Sequence, residues 1–355
     1  MVENKRIEWL DVSRGLGLLF VIMGHTMTTP IRDASGIANG IYTIMYFFHM
    51  PFMFYLSGRT FGIFGEKYQK RSNLEWVKKK WNTLMIPYLV YGILVYIIFA
   101  LANSITSLNH ILDNVGYGKQ SIFQWAKGSV IGYNQYAYHL WFIYALFIMN
   151  ILSFFMMKYV KKHKLVLFVL TILCMALRGY VDTSSWGIAN LTMKCYFWFV
   201  LGTYVDLSKY MKKGWALFLQ GVSVVYVLVY AADIGNWTWL VSERVKEPVK
   251  WCMDLGLIML CIHISIFLSG KIRQVFLWTG EHSYGIYLFH QPFFASGSGL
   301  VLYKVLGLPL WIAVLLTFLL CYGGSLWIMR LLDIKYFHHL TSLLLGKKRT
   351  SNSEK

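Results

Sequence analysis

Three observations predict an all-α fold, a polytopic transmembrane bundle of about ten helical spans. Apolar stretches of membrane-crossing length recur along the 355 residues. Only 14% of the residues are charged, where soluble chains carry about a quarter. The lysines and arginines collect on one side of the expected spans. Composition agrees, with 57% hydrophobic residues and a mean hydropathy of +0.50.

The expected spans are residues 10–29, 41–62, 83–102, 139–157, 165–180, 191–206, 214–232, 251–269, 282–303 and 308–329. With the N-terminus inside, 23 of the 34 lysines and arginines fall on the inner side and 8 on the outer. That asymmetry places both termini in the cytoplasm. The net charge of +18 is then a matter of topology and attraction to anionic lipid, and no nucleic acid is needed as a partner. The expected organisation is a transmembrane domain over 1–335 and a basic cytoplasmic tail over 336–355. The first span contains Arg14 and lacks a small-residue cleavage site, so it is expected to stay in the chain. Cys174, Cys195, Cys252, Cys261 and Cys321 show no CxxC spacing and read as small apolar residues, with neither disulfide nor metal site expected.

Inner connections such as 158–164 and 207–213 are short and basic. The outer side holds the longest connections, 103–138 and 233–250. Trp125, Tyr133, Tyr136 and Tyr138 sit among amides in the first of these. They fit either a sugar-binding surface or an interfacial aromatic belt. No internal repeat is present, and so no inverted-repeat transporter signature.

The first span brings an arginine and a histidine onto one stripe. Arg14 and His25 are 11 residues apart, which aligns them to within about 20° and separates them by roughly 16 Å along a helix. Asp11 lies one turn before Arg14 and can neutralise it. The second span carries His49 toward its outer edge and Arg59 near its inner end. Antiparallel packing of these two spans would form a polar column, with guanidiniums toward the cytoplasm and imidazoles toward the outside. Two arginines at an inner mouth suit a phosphate-bearing ligand, and a neutral imidazole can take a proton from a hydroxyl. The plainer readings are arginines that snorkel into headgroups and histidines that merely pack.

A third element, GEHSYGIYLFHQPFF, places His290 near mid-membrane with Tyr284 and Tyr287 broadly on its side and Glu281 and His282 at its inner end. These groups suit either oxyanion stabilisation or a polar contact between helices. Pro51 and Pro292 each follow a histidine by two residues and are expected to kink their helices and free backbone carbonyls. Lys194 is expected to reach back to the interface and Asp254 to pair with a neighbouring span; neither is given a catalytic role. Gly15 and Gly17 read as close packing in place of a nucleotide loop. A G-x-S-x-G elbow, a Walker loop and HExxH are all absent.

The segments LDVSRGLGLLFVIMGH, FFHMPFMFYLSG, HLWFIYAL and SYGIYLFHQP, running from residue 10 to about residue 295, resemble the acyltransferase-3 family of integral membrane acyltransferases, which includes sugar O-acetylases and fucose 4-O-acetylase-like proteins. The resemblance implies about ten spans, cytoplasmic acyl-CoA as donor and an extracytoplasmic acceptor hydroxyl. It puts His25 in the place of the family's essential histidine and Arg14 in that of its arginine. Two departures stand out. The family's paired arginines after the second span meet only Arg71 among lysines here, in GEKYQKRSNLEWVKKKW. The extra esterase-like domain of many members is not expected here, the sequence closing on LLLGKKRTSNSEK. The expected function is O-acylation, acetyl-CoA being the donor and a sugar of a surface or lipid-linked glycan the acceptor, in the cell membrane and without a metal. Arg14, Arg59 and Arg71 would hold the donor's phosphates. His25 would act as base or transient acyl carrier, and His49, His290 or a tyrosine would steady the oxyanion. The alternative is a transporter or flippase that uses the same column as a pathway.

Overall fold

The computed structural model describes residues 7–114, 116–177, 188–232, 243–332 and 338–345. Among the described residues the chain is helical and holds no strand. The elements are α1 (Glu8–Thr26), α2 (Thr29–Ala34), α3 (Gly36–Ile63), α4 (Gly65–Gln69), α5 (Asn73–Lys80), α6 (Ile86–Asn103), α7 (Thr106–Asn114), α8 (Ile122–Val130), α9 (Trp141–Tyr159), α10 (His163–Leu177), α11 (Ile188–Tyr204), α12 (Gly214–Ala232), α13 (Glu243–Phe267), α14 (Gly270–Phe289), α15 (Ser298–Leu300), α16 (Leu310–Leu332) and α17 (His338–Leu345). Every expected span overlaps one of these helices, the ninth starting on α14 and continuing past its end; residues 178–180 of the fifth lie outside the described residues.

Among the described residues, five segments are long and apolar enough to cross a membrane: Asn73–Asn103, Tyr138–Tyr159, Gly214–Ala232, Glu247–Phe267 and Leu310–Leu332. Their outward faces are apolar. On α6, Ile93, Leu94, Ile97, Ile98 and Leu101 are exposed, and on α16 Ile312, Leu315, Leu316, Leu319 and Leu320. Steps of three and four residues put each set on one helical face. Water would oppose such stripes and hydrocarbon accepts them, so this is a membrane protein. Neither α1 nor α3 is among the five; they carry most of the polar residues singled out above.

Three expectations are corrected. The outer connection 233–250 is helical from Glu243 onward, so Lys250 lies on α13 and not in a loop. Connection 103–138 contains α7 and α8, the latter capped by a reciprocal Ser121–Gln124 box. Within it Trp125 and Tyr136 are buried, and only Tyr133 and Tyr138 are exposed. The ninth span is not one continuous α-helix. α14 ends at Phe289 and a π-helical stretch, His290–Gly297, follows, with Gln291 extended at φ −128° and ψ 156°. Proline disfavours the α conformation for the residue before it, and Pro292 imposes that on Gln291.

The chain divides into two compact units, one from Met1–Thr60 and Leu201–Leu326, the other from Phe61–Val200 and Trp327–Lys355. In the second, Trp76 is fully buried, stacked on Phe154 at 5.2 Å between ring centroids, and its indole N–H donates to the Asn150 carbonyl. Phe61 and Tyr68 pack around the same ring. In the first unit, α1 lies against α14 and α13, and α12 packs on α13. Glycines set these approaches. A Cβ on Gly15 would sit 2.1 Å from the Phe276 carbonyl oxygen, and one on Gly280 would sit 1.9 Å from that of Asp11. Only hydrogen fits at either position, so α1 and α14 mesh backbone to backbone.

Candidate active site

The meshing of α1 with α14 brings together two histidines 265 residues apart in sequence. The rings of His25 and His290 lie 5.2 Å apart, centroid to centroid. α3 closes the group from another side. Tyr46 places its hydroxyl 3.0 Å from His25 Nδ1, and its ring stands edge-on to His49 at 4.9 Å. Gly24 makes room for this, since a Cβ there would lie 3.0 Å from the Tyr46 ring. Three imidazoles and a phenol thus form one cluster, with His49 reached through Tyr46.

Hydrogen bonding fixes two of the tautomers. His49 Nδ1–H donates to the Met45 carbonyl at 2.6 Å, and His290 Nδ1–H donates to the Tyr287 carbonyl at 2.6 Å. A carbonyl only accepts, so in each neutral ring Nε2 carries the lone pair. His49 and His290 are buried, whereas His25 is half-buried. Of the three, His25 is the one partly open to its surroundings. When Nδ1 of His25 donates to the Tyr46 oxygen, its Nε2 becomes the basic nitrogen. Tyr287 is buried with its ring 5.5 Å from that of His290.

The arginines sit at the other end of α1 and α3. Arg14 holds Asp11 through Nη1 and the Thr60 hydroxyl through Nη2. Thr60 follows Arg59, so the two arginines share a level. Arg59 Nη2 donates to Asp206 Oδ2 at 2.6 Å. Asp206 also accepts from the Ser208 hydroxyl at 2.6 Å. The neighbouring backbone is stapled to α3: Tyr55 Oη donates to the Val205 carbonyl and accepts from Leu207 N–H. A carboxylate already partners each arginine. An anionic ligand would therefore have to share or displace Asp11 and Asp206. Farther out, Arg273 pairs with Glu8.

Arg71 belongs to the second unit, between α4 and α5, where its carbonyl accepts from Lys158 Nζ at 2.8 Å. His282 hydrogen-bonds the Trp278 carbonyl and stacks on its ring, and is not part of the histidine cluster. Asp254, expected to pair with a neighbouring span, forms an ion pair with Lys250 on its own helix, with Nζ–Oδ2 at 2.7 Å. The reason is the i, i+4 spacing, available once α13 extends back through residue 250.

Sequence reasoning did not single out Tyr46, Thr60, Asp206 or Lys250. Tyr46 had a readable signal, since it lies one turn before His49. Asp206 had a weaker one, an acid at the inner end of a span. Thr60 and Lys250 depend on which helices touch, which a single sequence does not display.

Histidines with a phenol thus stand at one level and arginines at the other, on helices that pack through glycine. Residues 7–330 match the model of the acyltransferase-3 family, described as an acyltransferase domain, and the chain belongs to that family. It is thus a membrane acyltransferase. No curated protein and no solved structure matches it.

Proposed function

We propose that this protein transfers an acetyl group from cytoplasmic acetyl-CoA to a sugar hydroxyl of an extracytoplasmic or lipid-linked glycan, in the cell membrane. In this reading the ten helices named as spans all cross, with both termini in the cytoplasm. The observation that carries it is the half-buried His25, set between the Tyr46 hydroxyl and the His290 ring on the helix that also bears Arg14. His25 Nε2 takes the proton of the acceptor hydroxyl as its oxygen bonds to the thioester carbonyl carbon. The C–S bond then breaks, and the imidazolium returns the proton to the departing thiolate. Tyr46 opposes the charge on the tetrahedral oxygen through its O–H; His49 and His290, whose Nδ1–H groups go to backbone carbonyls, do so through Nε2 only when protonated. Much of the acceleration comes from holding thioester and hydroxyl together. The donor's phosphates are taken by Arg14 and Arg59, which exchange their carboxylate partners for them.

The test is transfer of labelled acetyl from acetyl-CoA to endogenous glycan in membranes, comparing the natural chain with His25→Ala. The expected result is loss of transfer with the protein still inserted. Full transfer by the variant would end the assignment. Solute flux that continues without acetyl-CoA would favour a transporter.

A further inference from the structure

α3 contains a proline in its interior, Pro51. Proline has no N–H to offer the carbonyl four residues earlier, which here is that of Phe47. Inside a membrane such a carbonyl needs another donor. Lys250 on α13 supplies it, with Nζ 2.7 Å from the Phe47 oxygen. The same ammonium reaches the two carboxylate oxygens of Asp254 at 2.9 and 2.7 Å and stands 4.1 Å from the centroid of the Phe47 ring. An ammonium has three hydrogens, and three oxygens are in place to take them. Asp254 is buried one turn along the same helix, so the charge is balanced within α13 while the third hydrogen reaches across to α3.

His49 lies between Phe47 and Pro51, in the turn whose hydrogen bond the proline removes. A turn without its bond is set by whatever holds the loose carbonyl. We infer that Lys250 and Asp254 are a positioning pair: by pinning the Phe47 carbonyl they fix the direction in which the proline-broken turn of α3 presents Tyr46 and His49 to His25. The geometry stands by itself, and the kinetic consequence rests on the acyl-transfer reading above. Lys250 acts through the α3 backbone and moves no proton in the reaction.

Stability and positioning can be separated. An apolar pair of similar volume often replaces a buried ion pair with little cost in stability, but it cannot hold a carbonyl. The full-length chain in lipid nanodiscs is the object to test, as Lys250→Met with Asp254→Leu and as Lys250→Arg. The double variant is expected to melt near the natural chain. Its kcat should fall at least about tenfold with KM for acetyl-CoA little changed, as misplacement of reacting groups predicts. Amide exchange over residues 48–53 should quicken by about tenfold, the mark of a turn no longer held. Lys250→Arg, which keeps charge and donors, should restore both readings. The inference is overturned if the folded double variant keeps its kcat and its slow exchange, or if a folded Lys250→Arg remains at the double variant's level. If the natural chain transfers no acetyl, the acyl-transfer reading fails, and amide exchange alone decides whether the pair holds α3.

Discussion

Gly280→Ala probes how the two histidine-bearing helices are held together. The added Cβ would begin 1.9 Å from the Asp11 carbonyl oxygen, and ordinary contact starts at 3.4 Å. Relief therefore requires α14 to withdraw from α1 by about 1.5 Å, because both obstacles are backbone and neither can rotate away. The rings of His25 and His290 stand 5.2 Å apart, and a misplacement of about 1 Å among reacting groups costs roughly a hundredfold in rate. Overpacking of this kind costs about 1–3 kcal/mol of stability, and the gain in helix propensity from glycine to alanine returns up to about 1 kcal/mol. The expected variant is thus folded and slow. The measurement is kcat for acetyl transfer by purified protein in lipid, alongside a thermal melt. Gly221→Ala is the control: it gains the same propensity, and a Cβ there meets nothing within 4 Å. A folded Gly280→Ala with kcat within twofold of Gly221→Ala would refute the argument that glycine meshing sets the site.

Tyr46→Phe removes the hydroxyl facing His25 Nδ1 and keeps the ring; a loss of one such bond, about 0.5–1.5 kcal/mol, predicts a kcat down roughly three- to tenfold, and an unchanged kcat would remove Tyr46 from the chemistry. Arg14→Lys keeps the charge and loses the fork that grips phosphate and Asp11; KM for acetyl-CoA is expected to rise about tenfold, and an unaltered KM would take Arg14 out of the donor site. Arg59→Ala leaves Asp206 without its guanidinium while Tyr55 still holds the adjoining backbone, so the melting temperature should drop, and a rise would contradict the pairing. A single cysteine placed at Ser353 should react with an impermeant maleimide only from the cytoplasmic side; labelling of intact cells would reverse the proposed topology.

Helix positions were legible because length and hydropathy are local properties: each expected span overlapped a helix, and that over 214–232 agreed to the residue. The Asp11–Arg14 pair was legible because it needs only the helical period, and Gly15 as a packing residue because a glycine inside an apolar helix has few other uses. What failed was of two kinds. The break at Gln291 was foreshadowed by Pro292, which disfavours the α conformation in the residue before it, but the π-helical form of the stretch His290–Gly297 has no such local signal. Lys250 was assigned to a loop because the polar run ahead of it, SERVKEPVK, hides a helical start from any hydropathy average. The contact of His25 with His290 was beyond reach for another reason: nothing local tells which of several apolar helices lies against the first.

The glycine mesh between α1 and α14 has a consequence for how the protein is made. The ribosome delivers His25 roughly 250 residues before the helix that completes its surroundings. At about 5–20 residues per second, the leading helix waits some 10–50 s in the bilayer with its glycine face unfilled. During that interval the nascent chain is open to insertion chaperones and membrane proteases, so mutations that weaken the mesh should lower abundance as well as activity.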